Sequence, residues 1–349
     1  MKKIKVGVLM GGPSAEREIS LVTGKAVVDN LDTKKYLPSV IEMDAQSFFW
    51  LKQKGKKRKL DLQNKDRKLF DIIFIALHGS PGEDGGVQGM LESLQIKYTG
   101  SGVLASALAM NKVYSAQIYF ANNLPYPPFI HFKRAGWQRE EDKIIENIIN
   151  TIGFPVVIKP VDQGSAVGVS IVKSKEDLKE AIDQTIKSFP WLMAQQFVKG
   201  QEATCGVLEK NGEIFALPPT RIVPNAGQFY DYASKYRAGG SAHICPADFP
   251  VGVNEDMQRL AQLAHKALRC KGMSRTDIFY ADEENKDFNY ANENLGTQTS
   301  DSYRGNKRLY IIETNTIPGM TPTSLLPEAA AKAGISFAQM LDGIIKASL

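Results

Sequence analysis

Four residues in the carboxyl-terminal third have types and spacing suited to chemistry on a charged substrate. Glu313 and Asn315 stand two apart at the end of an apolar run, Leu309 to Ile312, that reads as a buried β-strand. With a side-chain period of two they project from one face, so a carboxylate and an amide oxygen point together. Oxygen donors of this kind suit a hard cation such as Mg²⁺; the alternative is a solvated strand end. Arg275 and Asp277 form a second pair on one face of an extended segment that follows Gly272. Antiparallel pairing of the two segments would set Asp277 beside Glu313 and Asn315 and gather three oxygen ligands. The Pro318-Gly319 turn ends the strand and lets backbone N–H groups approach a ligand.

Other segments suit anions. Pro155 to Pro160, a glycine loop over 161–168 containing Gly164 and Ser165, and Val169 to Val172 read as strand, loop and strand. Such a hairpin can fold over phosphates with its backbone amides, with Lys159 reaching inward as a point charge. It is not a Walker A loop, which passes from strand to helix. Near the amino terminus, the strand Ile4 to Met10 leads through Gly11-Gly12-Pro13-Ser14 into a helix beginning near Ala15, an arrangement that suits an anionic or polar ligand. Glu16 lies in the first turn of that helix, where the dipole favours a carboxylate in any case. His78 follows the apolar run Leu69 to Leu77, at the strand end where ligands sit in α/β sheets. The aromatic segment from Phe229 to Gly240 reads as a lid or as a packed surface loop.

The elements that must position these residues follow from length and pattern. A chain of 349 residues calls for two or three domains, and a hydrophobic share of 43% is ordinary for a globular protein. Strands alternating with helices predict an amino-terminal doubly wound parallel-sheet α/β domain. Helices are expected through Ala105 to Ala121, Glu140 to Asn150, Glu255 to Cys270, Leu325 to Ala333 and Phe337 to Ala347, with a hairpin around Asn211-Gly212. The net charge of +5 includes a basic run, Lys52 to Lys59, that reads as a solvated loop; no nucleic-acid motif accompanies it. Three isolated cysteines, Cys205, Cys245 and Cys270, argue against a disulfide framework or a zinc site. The apolar run at the amino terminus is too short for a signal peptide or a membrane span, so a cytoplasmic protein is expected. Asp282 to Arg308, rich in Asn, Asp and Gly, reads as a surface insertion.

Taken together, Gly11 to Glu18, His78-Gly79 with Gly82-Glu83-Asp84-Gly85, Tyr98 to Gly102, Phe229-Tyr230-Asp231-Tyr232 with Lys235-Tyr236, and Glu313-Thr314-Asn315 with Pro318 to Thr321 resemble the D-alanine:D-alanine ligases of the ATP-grasp superfamily. The resemblance covers nearly the whole chain outside 282–308. It implies an α/β substrate domain over 1–112, followed by a two-subdomain α+β ATP-grasp fold. The central subdomain with the phosphate loop would span 113–198, and the carboxyl-terminal subdomain with lid and metal site 199–349. The implied reaction joins two D-alanines for peptidoglycan synthesis, with ATP as substrate and two Mg²⁺ (or Mn²⁺) ions. The implied partners are small molecules, with no nucleic acid and no membrane, in a homodimer.

By the same resemblance, Asp277, Glu313 and Asn315 correspond to the metal ligands, and Lys112, Lys159 and Lys235 to phosphate contacts. Gly164 and Ser165 belong to the ATP loop. Gln195, Gln196, Phe197 and Val198 border adenine, and Glu202 matches the ribose-binding carboxylate. Glu16, with Ser165 and Tyr236, anchors the first substrate, and His78 lies near it. Arg275 and the Gly319 N–H stabilise an oxyanion, while Ser324 and Leu325 hold the second substrate's carboxylate. Relatives that use D-lactate resemble this pattern with Phe at position 236, so Tyr236 favours an amine nucleophile. Three positions depart from many relatives: Asn111 stands for Asp, Ala166 for Ser, and Gln195 for an acidic residue.

Overall fold

The structure, a computed structural model, describes residues 2–53, 55–224, 241–282, 305–306, 308–321 and 323–349. The chain opens with β1 (Ile4–Gly11), α1 (Arg17–Asn30), β2 (Tyr36–Met43), β3 (Phe49–Gln53), β4 (Lys56–Lys59), β5 (Ile72–Ile75), α2 (Gly86–Ser93), α3 (Val103–Met110) and α4 (Lys112–Ala121). The first sheet has the order β4-β3-β2-β1-β5. β1 lies parallel to both β2 and β5, so the expected parallel core is present. Val6, Val8, Ile72 and Phe74 are fully buried, as the unbroken apolar runs require of strands covered on both faces. β1 ends at Gly11, which with the following Gly12 has φ +93°, and a Cβ on Gly11 would stand 2.6 Å from the Met43 carbonyl oxygen. Only glycine fits that turn.

Two expectations for this region are corrected. The basic run is no loop: it supplies most of an antiparallel hairpin, with Leu51 opposite Arg58 and Lys52 opposite Lys57. The lysines lie on aromatic faces, Lys59 Nζ 3.3 Å from the Phe48 ring centre and Lys57 Nζ 4.6 Å from that of Trp50. Arg58 forks onto Asp66 at 2.8 and 2.9 Å. A fully exposed, cationic β4 also guards the sheet edge against further pairing. The helix expected through Ala105 to Ala121 is two helices broken at Asn111. Asn111 is extended, and its side chain accepts from the Val113 and Tyr114 N–H groups, both at 3.1 Å, which caps α4.

Next come β6 (Phe129–Lys133), α5 (Arg134–Thr151), β7 (Val156–Pro160), β8 (Ser170–Val172), α6 (Lys175–Ser188) and β9 (Trp191–Gln196). Their antiparallel sheet, ordered β6-β9-β7-β8, packs on α5 and α6 through Phe132, Trp137, Ile148, Ile158 and Ile182. α5 begins six residues before the expected Glu140 and kinks there. Its first turns are held by Trp137, which is buried and donates from Nε1 to Asp183 at 2.8 Å.

The remainder is β10 (Gly200–Lys210), β11 (Glu213–Ala216), β12 (Thr220–Pro224), β13 (Ser241–Ile244), α7 (Val251–Ala267), β14 (Met273–Ala281), β15 (Leu309–Asn315), α8 (Leu325–Lys332) and α9 (Phe337–Lys346). The order β13-β12-β10-β14-β15, with β11 paired on β10, makes a third sheet. The Asn211-Gly212 hairpin is present, with both residues at positive φ, 55° and 82°. α4 and α7 share a core with this sheet through Tyr119, Met257, Leu260 and Ile278. α8 and α9 share a core with the first sheet, where Asp342 also receives Lys35 Nζ at 2.9 Å and the Tyr36 hydroxyl at 3.0 Å. Among the described residues, no helix is long and apolar enough to cross a membrane.

Candidate active site

β14 and β15 pair antiparallel, with Arg275 opposite Asn315 and Asp277 opposite Glu313. The expected cluster of Asp277, Glu313, Asn315 and Arg275 therefore exists. Arg275 Nε donates to Asp277 Oδ1 at 2.9 Å, and its Nη2 donates to Oδ2 at 2.8 Å. Asn315 Nδ2 lies 3.4 Å from Oδ2. Thr204 on β10, opposite Asp277 in register, donates its hydroxyl to Oδ1 at 2.7 Å. On the reverse face the alternate residues build a buried hydroxyl chain. Tyr119 donates to Thr314 Oγ1 at 2.9 Å, which lies 3.0 Å from Thr276 Oγ1. The two faces thus divide the strands into a charged side and a buried polar side, as the period of two demands.

Lys112 opens α4, just after the Asn111 cap. Its Nζ lies 3.5 Å from Glu313 Oε2 and donates to the Gln163 carbonyl at 2.6 Å, joining the glycine loop to β15. Gly164, Glu313, Asn315, Lys112 and Glu83 line one cleft. Lys159 on β7 is buried, and its Nζ donates to Gln195 Oε1 at 2.7 Å. Burial and the neighbouring charge of Lys112 push its amine down to about 7, against an upward pull from Glu313. Farther along β9, the Gln196 N–H donates to the Pro128 carbonyl at 2.9 Å and the Phe197 N–H to that of Pro155 at 3.3 Å. Val198 is buried, and Glu202 sits half-buried on β10 opposite Phe279.

Glu16 stands at the start of α1 and accepts from the Ser165 hydroxyl at 2.6 Å, tying the amino-terminal sheet to the glycine loop. Ser165 and Ala166 hold φ values of 52° and 56°, a left-handed pair that turns the loop back. Ser14 fastens the approach: its hydroxyl donates to the His78 carbonyl at 2.6 Å and accepts from the Glu16 N–H at 3.2 Å. The buried His78 ring meets Thr23 Oγ1 at 3.0 Å through Nε2, so it packs against α1. At the other end, Ser324 Oγ accepts from the Thr321 N–H at 3.0 Å and lies 2.7 Å from Thr321 Oγ1. A Cβ on Gly319 would come within 2.9 Å of Ser324 Oγ, so this turn packs closely against the Ser324 side chain. Leu325 begins α8 and is buried.

The structure brings together the β14–β15 residues with Lys112, and Glu16 with Ser165. Lys235 and Tyr236 lie outside the described residues, as does most of the 282–308 insertion. Sequence reasoning missed Thr204 and the pairing of Lys159 with Gln195. Both depend on cross-strand register, and the only sequence signal for Thr204 is its place in the alternating run Thr204 to Leu208.

Two family models match the chain, "D-ala D-ala ligase N-terminus" over residues 5–101 and "D-ala D-ala ligase C-terminus" over 118–304 and 301–346. A D-alanine–D-alanine ligase of Syntrophobacter fumaroxidans is 39% identical over 349 residues, covering 100% of this chain and 98% of the relative. Among solved structures, the VanG D-Ala:D-Ser ligase of Enterococcus faecalis matches with a TM-score of 0.83 at 27% identity, over 100% of both chains. The Bacillus anthracis D-alanine–D-alanine ligase complexed with ATP matches with a TM-score of 0.73 at 30% identity, over 99% of this chain and 97% of that one. With its amino- and carboxyl-terminal family models matched and a full-length relative at 39% identity, the chain belongs to the D-alanine:D-alanine ligase family of the ATP-grasp class.

Proposed function

We propose that this protein is an ATP-dependent carbon–nitrogen ligase that joins two D-alanines into D-alanyl-D-alanine for peptidoglycan precursor synthesis. The observation that carries this reading is the register of β14 on β15, which sets Arg275, Asp277, Glu313 and Asn315 on one face with Lys112 3.5 Å from Glu313. A carboxylate oxygen of the first D-alanine attacks the γ-phosphorus of ATP, the bond to the β-phosphate oxygen breaks, and ADP leaves. The amine of the second D-alanine then attacks the acyl phosphate carbonyl. The tetrahedral oxyanion collapses, the carbon–oxygen bond to phosphate breaks, and the proton shed by the new amide nitrogen passes to the departing phosphate or to solvent. Phosphoryl transfer of this kind relies on positioning and on neutralising charge.

The residues divide that work. Glu16, held by Ser165, receives the first ammonium, with His78 fixing the approach through its backbone; the resemblance adds Tyr236 to this set. Lys112, Lys159 and Lys235 contact the phosphates under the loop that contains Gly164 and Ser165. The backbone from Gln195 to Val198, in which the Gln196 and Phe197 amides are bonded to the Pro128 and Pro155 carbonyls, borders adenine, and Glu202 receives the ribose. Arg275 and the Gly319 N–H face the oxyanion, and Ser324 with the Leu325 backbone receives the second carboxylate.

Asp277, Glu313 and Asn315 would hold Mg²⁺ or Mn²⁺. The donor set, two carboxylates and one amide oxygen brought together by the pairing of β14 and β15, fits a hard cation. Mg²⁺ takes one or two carboxylates together with substrate phosphates. When bound, the metal supplies charge neutralisation at the phosphates. We further propose three units over 1–112, 113–198 and 199–349, a homodimer and a cytoplasmic location.

Incubation with ATP, Mg²⁺, D-alanine, D-serine and D-lactate, with products read by mass spectrometry, tests the assignment. The expected main product is D-alanyl-D-alanine, with one ADP and one phosphate for each dipeptide. A main product ending in D-serine or D-lactate would move the protein to a sister activity, and no D-alanine-dependent phosphate release would remove it from catalysis.

A further inference from the structure

Lys159 lies in the floor of the proposed nucleotide site, and the group that touches its ammonium is neutral. The side chain comes from β7 and is 5% exposed; its partner Gln195, from the adjacent β9, is 3% exposed. Gln195 Oε1 accepts from Nζ at 2.7 Å, and an amide oxygen brings no charge. Holding an ammonium in such a place is unfavourable unless an anion compensates it. The charged and titratable neighbours do not supply one. From α4, Lys112 repels, and it already engages Glu313 Oε2 at 3.5 Å. From β15, Glu313 pulls in the favourable direction without reaching ion-pair distance of Lys159; among the described residues no carboxylate does. From the segment before β6, Tyr126 is buried, which drives its hydroxyl upward and keeps it neutral.

We propose that Gln195 leaves Lys159 uncompensated and uncharged in the nucleotide-free protein, and that the phosphates of an arriving nucleotide provide the missing charge, so that nucleotide binding takes up one proton. The proton moves from the buffer to the lone pair of Lys159 Nζ, and the resulting ammonium is paired by phosphate oxygens. Gln195 is thus a positioning residue that acts through Lys159. The downward displacement of the amine to about 7 agrees with this arrangement. A consequence is that nucleotide affinity falls by up to tenfold per pH unit on the alkaline side of neutrality. The inference rests on the nucleotide-site reading given above.

Calorimetric titration of the full-length protein with ADP, without metal, at pH 8 in two buffers of different ionisation enthalpy counts the protons directly. A phosphate whose second ionisation lies near pH 6 is already ionised there, so uptake reports the protein. The wild type is expected to take up close to one proton. Gln195→Glu, which supplies a permanent countercharge, and Lys159→Arg, which stays charged, are each expected to bind ADP with uptake near zero. If Gln195 were merely structural, its substitution would change affinity and leave the proton count alone. Buffer-independent heats in the wild type, or full uptake persisting in either variant, would overturn the inference while leaving the nucleotide site intact. Failure of the wild type to bind ADP would remove the nucleotide site and this inference together.

Discussion

Arg275 grips Asp277 with a two-point fork, Nε to Oδ1 at 2.9 Å and Nη2 to Oδ2 at 2.8 Å, between residues two apart on β14. The planar guanidinium matches the carboxylate in a way that a lysine cannot. Asp277 is thereby aimed by Arg275 at both oxygens and by Thr204 at Oδ1. Arg275→Lys keeps the charge and loses the fork. Turnover is expected to fall about 100-fold, of the order of losing one oxyanion donor. Steady-state dipeptide formation beside an unfolding curve checks it; wild-type turnover in a folded variant would show that the fork is dispensable.

Glu313→Gln preserves shape and a hydrogen-bond acceptor for Lys112 but removes the charge. Loss of an electrostatic group acting mainly in the transition state costs on the order of 3 kcal/mol, so turnover should drop by at least 100-fold. The Mg²⁺ concentration for half-maximal rate should also rise. An unchanged metal requirement would refute the assignment of Glu313 as a ligand.

Asn111 acts on Lys112 through the start of α4. Asn111→Ala strips the acceptor from two N–H groups and should cost about 1 kcal/mol of stability, whereas Asn111→Asp, which also caps, should cost little. Urea unfolding of the pair measures this. Equal stability in both variants would mean that the helix start is fixed by packing alone.

Lys159 gives the free protein a characteristic pH dependence. Its folded amine is pushed down to about 7 while the unfolded chain keeps the ordinary value of 10.5. Between those values the unfolded state binds more protons, so this group makes stability rise with pH and costs most at and below pH 7. Lys159→Met should therefore raise the melting temperature of the nucleotide-free protein at pH 7 and raise it less towards pH 10. A gain independent of pH would contradict a neutral Lys159.

Much of this site was legible in the sequence because strand alternation is a strong constraint. Glu313, Asn315, Arg275 and Asp277 could be placed on common faces by period two, and the structure pairs their strands as expected. What alternation cannot supply is register between strands distant in sequence, which is why Thr204 and the Lys159–Gln195 pair emerged only from the fold. The basic run misled because exposed lysines look alike in a loop and on a sheet edge, and here Trp50 and Leu51 decide in favour of a strand. Asn111 directly before Lys112 was a helix-start signal inside an apolar helical pattern, and the cap overrode the continuous period. The Ser165 contact to Glu16 spans 149 residues, a distance that only the family resemblance could bridge.

The most direct test of the central claim follows one oxygen atom. With D-alanine labelled by ¹⁸O in its carboxyl group, ATP and Mg²⁺, attack on the γ-phosphorus followed by displacement must carry one labelled oxygen into the released phosphate for each dipeptide formed. Mass spectrometry of the phosphate is expected to show that single label, with ADP unlabelled. Unlabelled phosphate, or label appearing in AMP, would contradict an acyl phosphate formed at this site.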